Sequence, residues 1–358
     1  MLIQKKAFLD CLSKALLGIS SNSVSPGAEA FYFENGYLYV YNEAVSVMVV
    51  LPEDCKGLLG AISAKELTDT VKKLKDEEFS VFVKEDFWKI RCGKATIELV
   101  ILEDFPLKTV KGLISKITEN GEWLDVTPEF LECCSMATFG KNNSKLTGVY
   151  FYSNYIVSTD EMRINFLQSN VDISDDFWME ENALKLLSKV EGLTRMNVGE
   201  HWVHFESKDK IYYSIKKIKG DYPFSLIKNR VDLHNKEQDD IQGKMPEGFA
   251  QSIAMAAPFC QSFDSLASMK LTFTISGIQI YAEKNIGKYY DEIEWTEPIY
   301  GTINKKVSTL VDYKMVNSGL PNMKSFYIKK ISYKHGEMIS LVFENKYGIQ
   351  IIGSLEEE

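Results

Sequence analysis

The tripeptides Asp104-Phe105-Pro106 and Asp221-Tyr222-Pro223 lie 117 positions apart, and each closes a run of strand-like segments. Both runs have the same order: a helix-like stretch, three strand-like stretches, a second helix-like stretch and further strands. A third copy of this order continues to Glu358 without the closing tripeptide. Units that recur tend to assemble side by side and bury a shared surface. The sequence therefore predicts three domains, over residues 1–121, 122–243 and 244–358.

Local signals favour helices and antiparallel strands, which indicates an α+β fold. From Gln4 to Ile19, apolar residues recur at three- and four-residue spacing, as in a helix with one buried face. Asn35-Gly36 between two strand-like runs predicts a tight hairpin, and Ser63 with Glu66 predicts a helix start. Thr127-Pro128 predicts another helix start. Helices are predicted over residues 3–19, 63–75, 127–145, 179–195, 246–263 and 303–319.

The composition is that of an ordinary globular protein, with 45% apolar and 25% charged residues among 358. No apolar run approaches the roughly 18 residues that a membrane-spanning helix needs, and we recognise no signal peptide. We therefore expect a cytoplasmic location. The six cysteines have no CxxC spacing, which favours buried, reduced thiols over disulfides or a zinc site.

Sequence patterns for catalysis or metal binding are missing. The chain has no GxxxxGK(S/T), GxGxxG, GxSxG or HExxH motif. His201 and His204 are three apart in a predicted strand, which places them on opposite faces and argues against a shared metal. We interpret both as surface or hairpin residues. The sequence therefore predicts that the protein is not an enzyme and has no cofactor, no catalytic residue and no metal site.

The charges are unevenly distributed, although the chain as a whole is acidic with a net charge of −9. The six predicted helices contain 15 basic and 10 acidic residues, whereas the remainder contains 26 basic and 40 acidic residues. If the helices line one surface, this basic lining would hold a phosphate backbone loosely and without sequence preference. For any single lysine, an exposed helix face is the simpler interpretation. The candidate DNA-binding lysines are Lys14, Lys72, Lys73, Lys141, Lys145, Lys185, Lys189, Lys305, Lys306 and Lys314.

Several segments, in this order and spacing, resemble the bacterial sliding clamp, the beta subunit of DNA polymerase III. Leu146-Thr-Gly-Val-Tyr-Phe151 is similar to the family's strand at the start of its second domain. Ser158-Thr-Asp-Glu-Met-Arg-Ile164 is similar to its Ala-Thr-Asp-Gly-His-Arg-Leu signature. The segment from Ile215 to Pro223 resembles its Gly-(x)-Phe-Pro region, and Ala61 to Pro106 matches half of its first domain in order. The resemblance covers essentially the whole chain.

The resemblance implies a DNA clamp fold of three repeated domains, each with two helices packed on antiparallel sheets. Two subunits would pair head to tail into a closed homodimeric ring whose helices surround double-stranded DNA. Such a ring binds DNA topologically and without sequence preference, and it tethers the replicative polymerase through effective concentration. A separate ATPase, the clamp loader, would have to open it, and no membrane is involved.

The family also binds short peptides from the polymerase and the clamp loader in a groove between its second and third domains. An apolar groove with a few polar groups suits a peptide anchor. Several of the matching residues are equally well explained as strand residues that pack a core. By position, the groove would contain Leu146, Thr159, Arg163, Ile164, Pro223, Ile352 and Leu355.

The chain departs from the family pattern in three places. Glu161-Met162 replaces the Gly-His of the signature, and Glu356-Glu357-Glu358 adds negative charge near the same site. Both changes indicate a shifted preference toward peptides with basic flanks. The predicted helix 246–263 has no lysine or arginine and contains Pro258, which predicts an early end and little phosphate contact. Such divergence suits a clamp encoded by a virus or a mobile element.

The sequence is also compatible with two other functions. A clamp-like decoy or adaptor would bind replication proteins through the groove without encircling DNA. An enzyme built on a repeated scaffold is the third alternative, and the missing catalytic motifs argue against it.

Overall fold

The computed structural model describes residues 1–19, 27–103, 105–106, 108–112, 122–139, 148–160, 162–238, 240–263, 266–301, 306–333 and 336–355. The chain forms two compact units. Unit 1 contains Met1–Leu131 and Asn182–Lys219, and unit 2 contains Glu132–Glu181 and Gly220–Glu358.

Antiparallel strands make up most of the described chain, and short helices connect them. The strands are β1 (Leu2–Gln4), β2 (Ala30–Glu34), β3 (Tyr37–Tyr41), β4 (Val45–Val50), β5 (Gly60–Ser63), β6 (Glu78–Val83), β7 (Phe87–Cys92), β8 (Ala95–Val100), β9 (Trp123–Asp125), β10 (Gly148–Thr159), β11 (Arg163–Glu180), β12 (Leu193–Val198), β13 (Trp202–Ser207), β14 (Tyr212–Lys216), β15 (Ile241–Gly243), β16 (Gln261–Phe263), β17 (Leu266–Phe273), β18 (Gly277–Lys284), β19 (Gly287–Glu294), β20 (Val307–Asp312), β21 (Ser325–Tyr333), β22 (Gly336–Glu344) and β23 (Gly348–Gly353). The α-helices are α1 (Lys5–Ala15), α2 (Ala64–Lys73), α3 (Pro128–Met136), α4 (Glu181–Leu187), α5 (Phe224–Leu233), α6 (Phe249–Ala256) and α7 (Tyr313–Gly319). Short 3-10 segments follow α1, α6 and α7, at Leu16–Gly18, Ala257–Phe259 and Leu320–Asn322.

Unit 1 contains two antiparallel sheets. The larger has eight strands in the order β5-β2-β3-β4-β14-β13-β12-β9, and the smaller has the order β1-β6-β7-β8. Inside the larger sheet, β4 pairs with β14, so that Val45 lies opposite Ile215. This pairing joins the predicted first repeat to strands of the second repeat.

Unit 2 also contains two antiparallel sheets. One has six strands in the order β10-β11-β23-β22-β21-β15. The other has the order β16-β17-β18-β19, with β20 paired to β17. Inside the six-stranded sheet β11 pairs with β23, and Arg163 lies opposite Ile352. This pairing joins strands of the second predicted repeat to the third.

The first and third predicted repeats share one arrangement, in which two helices lie between two sheets. In unit 1, the ring of Phe8 in α1 lies 6.1 Å from Phe33 in one sheet and 5.9 Å from Phe79 in the other. In unit 2, α6 and α7 bury Ile253 and Val316 in a core that both sheets share. The predicted packing of helices on antiparallel sheets is therefore confirmed.

The middle predicted domain contributes to both units. Strands β12 to β14 complete the eight-stranded sheet of unit 1, whereas β10 and β11 belong to the six-stranded sheet of unit 2. Each half of residues 122–243 therefore shares a sheet with a neighbouring repeat. The three domain boundaries stay a prediction.

Several local predictions are confirmed. Asn35 and Gly36 form the hairpin turn between β2 and β3, with φ angles of 51° and 81°. The backbone N–H of Phe130 donates to the Thr127 hydroxyl at the start of α3. Helix α2 begins directly after Ser63, although the Ser63 hydroxyl bonds to the carboxylate of Glu66 and not to the backbone.

Three helix predictions were wrong in their bounds. The predicted helix 127–145 ends at Met136. The predicted helix 179–195 shrinks to α4, because β11 continues to Glu180 and β12 begins at Leu193. The predicted helix 303–319 begins only at Tyr313, after β20. Residues 307–312 pair along β17, with Val311 opposite Met269, so their alternating pattern serves a strand. The predicted early end of helix 246–263 at Pro258 is confirmed, since α6 ends at Ala256.

All six cysteines are buried and free, which confirms their predicted burial. No helix in the described part of the chain is long and apolar enough to cross a membrane.

Candidate functional site

The predicted DNA-binding lysines lie in several kinds of local structure. Lys72 and Lys73 are exposed in the last turn of α2, and Lys314 is exposed in the first turn of α7. Lys185 is half-buried in the last turn of α4, and Lys189 follows that helix.

Four others of the predicted lysines do not belong to a helix in the described part of the chain. Lys306 directly precedes β20, so its predicted position on a helix was wrong. Lys141, Lys145 and Lys305 lie outside the described residues.

Lys14 is neutralised by two acidic neighbours. Its Nζ lies 2.9 Å from Asp10 and 3.0 Å from Asp209. The hydrogen bond that Lys14 donates to Asp10 raises the pKa of Lys14, so the side chain stays charged. These three residues line a cavity of about 410 Å³ in unit 1, together with Lys189 and Glu191. A phosphate at Lys14 would therefore also meet acidic side chains.

Helix α2 offers an exposed pair of cations. Leu67 and Val71 are buried, whereas Lys72 and Lys73 are exposed. Lysines in the last turn also interact favourably with the helix dipole, so helix stability alone explains their position. They are nonetheless free to approach a phosphate.

The positive charge of the helices is smaller than the sequence windows predicted. Helices α1, α2, α3, α4, α6 and α7 contain eight lysines and six acidic residues. Neither α3 nor α6 contains a lysine or an arginine. The difference arises because several predicted helix residues belong to strands or lie outside the described part.

Four of the predicted groove residues meet where β10 turns into β11 beside β23. Thr159 ends β10, and its hydroxyl donates to the carbonyl oxygen of Arg163 over 2.8 Å. Arg163 and Ile164 begin β11, opposite Ile352 and Ile351 of β23.

Arg163 is buried in this turn by an ion pair. The residue is 6% exposed, and its Nε and Nη2 donate to Oδ2 of Asp160 over 2.8 and 2.5 Å. Its Nη1 donates to the Ser318 hydroxyl over 3.1 Å, and the Phe139 ring lies 4.2 Å from the guanidinium carbon. The guanidinium group therefore ties the β10–β11 turn to α7.

The groove residues lie on two faces of the six-stranded sheet. Ile352 belongs to the core that contains α6 and α7. Ile164 packs against the opposite cluster, with Ile227 and Phe224 of α5. This helix begins directly after Pro223, so Ile164 and Pro223 share one side of the sheet.

Of the remaining residues predicted at the groove, only some lie in the described part of the chain. The backbone N–H of Leu355 donates to the carbonyl oxygen of Leu310 over 2.7 Å, which holds the end of the described chain next to β20. Leu146, Glu161 and residues 356–358 lie outside the described residues.

The sequence analysis missed a buried carboxylate cluster on β13. Glu206 is 1% exposed and accepts hydrogen bonds from Arg195, Lys210 and Tyr212. Burial raises the pKa of Glu206, but these donors outweigh it and bring the value to about 2. Alternation along β13 could have suggested a shared face with His204.

His204 is also buried, so its predicted surface position was wrong. Its Nδ1 lies 2.7 Å from the Ser214 hydroxyl, and burial lowers its pKa to about 4. His201 is exposed, as predicted. Within the described residues, no group of three or more His, Cys, Asp or Glu side chains is arranged to hold a metal ion.

Solved structures of bacterial clamps are similar to this chain over its whole length. The DNA polymerase sliding clamp from Bacillus subtilis has a TM-score of 0.78 at 17% sequence identity, covering 100% of this chain and 99% of that one. The DNA polymerase III beta chain from Streptococcus pneumoniae has a TM-score of 0.78 at 18% identity, covering 99% of each chain. The beta subunit from Thermotoga maritima has a TM-score of 0.75 at 13% identity, covering 100% of this chain and 99% of that one.

No protein-family model matches the sequence, and no curated protein sequence matches it. The similarity is therefore one of structure. Across its full length, the chain has the fold of the bacterial DNA polymerase III beta subunit, the sliding clamp.

Proposed function

We propose that this protein is a DNA sliding clamp, which encircles duplex DNA and tethers the replicative polymerase without catalysing a reaction. The observation that carries the proposal is the clamp fold over the full length of the chain. A closed ring stays on DNA because it has no free end through which to leave, so weak contacts with the backbone are sufficient.

The sheet pattern supports a ring of two subunits. Two sheets already join neighbouring repeats, through the pairs β4–β14 and β11–β23. In the two smaller sheets, β8 and β19 lie at an edge among the described strands. A head-to-tail dimer would join β8 of one subunit to β19 of the other and complete the same pattern. The predicted domains 1–121, 122–243 and 244–358 would then alternate with shared sheets around the ring.

Lysines within or directly after the helices are the proposed contacts with the DNA backbone. Lys72 and Lys73 are the leading pair, with Lys185, Lys189 and Lys314 as further contacts. Lys14 contributes less, because Asp10 and Asp209 already neutralise it. Contacts of this kind depend on salt and not on base sequence.

The proposed peptide site for the polymerase and the clamp loader lies on the α5 side of the six-stranded sheet. Ile164 and Pro223 lie on this side and would contact an apolar anchor. Arg163 would support the site from behind, because its guanidinium group is buried against Asp160. Thr159 and Ile352 belong to the same supporting turn and strand.

Retention on DNA tests the proposed function. The protein is loaded onto nicked circular DNA with a cognate clamp loader and then isolated by gel filtration. We expect it to stay on the circle and to dissociate after a single cut linearises the DNA. Equal loss from circular and linear DNA would contradict encirclement.

A clamp-like decoy is the second candidate, and the helix charges favour it. Helices α3 and α6 contain no lysine or arginine, and Lys14 is ion-paired. A decoy would bind replication proteins through the peptide site and stay monomeric. Light scattering at micromolar concentration separates the two, since a monomer with intact peptide binding supports the decoy and a dimer supports the clamp.

A further inference from the structure

Two strand edges in this chain are complementary to each other. Among the described strands, β8 pairs only with β7, and β19 pairs only with β18. An edge strand presents backbone N–H and C=O groups that accept another strand. The inference below rests on the proposed head-to-tail dimer and concerns how its two edges meet.

We propose that β8 of one copy and β19 of a second copy pair antiparallel in one defined register. In this register Gly287 lies opposite Leu99 of the other copy. A row of four alternating charges then crosses the subunit junction.

The two junctions inside the chain follow one rule. At the first, Val45 begins β4 and pairs with Ile215, the last residue but one of β14. At the second, Arg163 begins β11 and pairs with Ile352, the last residue but one of β23. In each case the first residue of one strand meets an isoleucine at the same place in the other.

The subunit junction involves the corresponding strands of the repeats. β19 begins at Gly287, and the last residue but one of β8 is Leu99, again an aliphatic residue. The same rule therefore sets Gly287 opposite Leu99. Moving along the antiparallel pair, Lys288 lies opposite Glu98, and Tyr290 lies opposite Thr96.

The exposure of the side chains agrees with this register. Lys288 and Tyr290 are exposed on β19, whereas Tyr289 between them is half-buried. On β8, Glu98 is exposed and Ile97 is half-buried. The register places exposed residues opposite each other and sets Tyr289 opposite Ile97. A slip by one residue would set the half-buried Tyr289 opposite the exposed Glu98, so that residues from opposite faces of the two strands would meet.

Registers that differ by two residues all set exposed side chains opposite exposed side chains. Among them, the charges favour this one. Within their hairpins, Lys89 pairs with Glu98 over 2.8 Å, and Lys288 pairs with Glu283 over 2.8 Å. Setting Glu98 opposite Lys288 joins the two pairs into a row of positive, negative, positive and negative charge across four strands. Opposite charges directly across a strand pair are favourable. A slip by two residues would set Lys288 opposite Thr96 or Val100 and break the row.

Disulfide trapping tests the register directly. Variants of the full chain carry two new cysteines, at positions that the register sets opposite each other: Glu98→Cys with Lys288→Cys, and Thr96→Cys with Tyr290→Cys. The matched controls exchange the partners: Thr96→Cys with Lys288→Cys, and Glu98→Cys with Tyr290→Cys. The native cysteines are buried, so they contribute little background.

Under mild oxidation we expect covalent dimers from both in-register variants, at least roughly tenfold faster than from the controls, because disulfides need closely spaced Cα atoms. Equal or faster cross-linking of the exchanged variants would overturn the register and leave the head-to-tail dimer intact. A dimer by light scattering in which none of the variants cross-links would overturn this pairing as well. A monomer would overturn both this inference and the proposed ring.

The charge row has its own test. Glu98→Lys places a third positive charge in the row, and we expect the dimer dissociation constant to rise roughly tenfold at low salt and less at high salt. Glu85→Lys makes the same change of charge in the β6–β7 turn, away from the edge, and should leave the constant unchanged. Equal effects of the two variants would show that overall charge, and not the row, governs association.

Discussion

Glu206 is 1% exposed, yet it stays charged because Arg195, Lys210 and Tyr212 donate hydrogen bonds to it. The guanidinium carbon of Arg195 also lies 4.6 Å from the centre of the Trp123 ring. A buried carboxylate of this kind is stable only with its partners in place. The cluster therefore connects strands β9, β12, β13 and β14 on one face of the eight-stranded sheet.

Replacing this carboxylate should destabilise the protein. We expect Glu206→Gln to lower the free energy of unfolding by about 3 kcal/mol at neutral pH, because Arg195 loses its charged partner. The pKa of Glu206 is lowered in the folded protein. Its contribution to the free energy of unfolding is therefore present above pH 4.5 and is lost as the pH falls toward about 2. Urea unfolding measures the change, and Glu200→Gln at an exposed position serves as the control. Equal effects of the two variants would contradict a role for burial.

His204 should make stability depend on pH. Burial lowers its pKa from 6.5 to about 4, so the unfolded chain binds a proton before the folded chain does. Stability is therefore constant above pH 6.5 with respect to this group and falls as the pH drops toward 4, by about 1.4 kcal/mol per unit.

The His204 prediction is checked by urea unfolding at neutral and acidic pH. His234 acts in the same direction, since burial lowers its pKa too. His204→Gln should therefore reduce the pH dependence without abolishing it, and the exposed His201→Gln should leave it unchanged. An unchanged pH dependence in His204→Gln would refute the assignment.

The Arg163–Asp160 pair should behave as one unit. Arg163→Ala leaves the buried Asp160 without its guanidinium partner, and we expect a loss of about 4 kcal/mol in the free energy of unfolding. The double variant with Asp160→Asn should lose less than the sum of the single variants. A thermodynamic cycle from urea unfolding gives the coupling, and additive losses would argue against an energetic pair.

Residue identity was easier to predict from the sequence than residue environment. The signature around Thr159 and Arg163 was found from its pattern, and the structure brings both to one turn. The pattern could not show that Arg163 turns inward, because its partners Ser318 and Phe139 are far away in sequence. The burial of His204 and Glu206 was missed for the same reason.

At the scale of single elements, mutagenesis can measure how much the two lysines at the end of α2 contribute to DNA binding. We expect Lys72→Ala with Lys73→Ala to weaken DNA binding uniformly across sequences and to reduce the slope of log affinity against log salt by roughly one per lost phosphate contact. Lys324→Ala with Lys330→Ala removes the same charge from exposed positions next to and within β21. Fluorescence anisotropy with duplex DNA measures the affinity and the salt slope of each variant. Equal slopes for the two variants would show that α2 does not contact the DNA.

Elements with strong local signals were predicted well, and those set by distant pairing were not. The starts of α2 and α3 and the Asn35-Gly36 hairpin lie where the sequence placed them. β20 was assigned to a helix, because it is a strand only through its pairing with β17, whose residues lie far earlier in the chain, as in Val311 opposite Met269, 42 positions earlier. Likewise, the end of β11 at Glu180 depends on Gly148 opposite it.

On the scale of the whole molecule, the predicted middle domain should not fold alone. Residues 122–243 contain β14 and β11, which pair with β4 and β23 outside the fragment. The isolated fragment would expose both edges, and unpaired edges promote aggregation. We expect it to be insoluble or poorly folded by circular dichroism and gel filtration, in contrast to the full chain measured in parallel. A monomeric, cooperatively unfolding fragment would contradict this expectation.

The order of synthesis gives the eight-stranded sheet a further consequence. Val45 leaves the ribosome long before Ile215, its partner in the sheet, and all of residues 132–181, which belong to the other unit, are made in between. During translation the edge of β4 therefore stays unpaired until β14 has been synthesised. Pairing between such distant segments is also slow. A nascent chain of this protein should depend on chaperones until β14 emerges, and a pause in translation before that point should be more harmful than one after it.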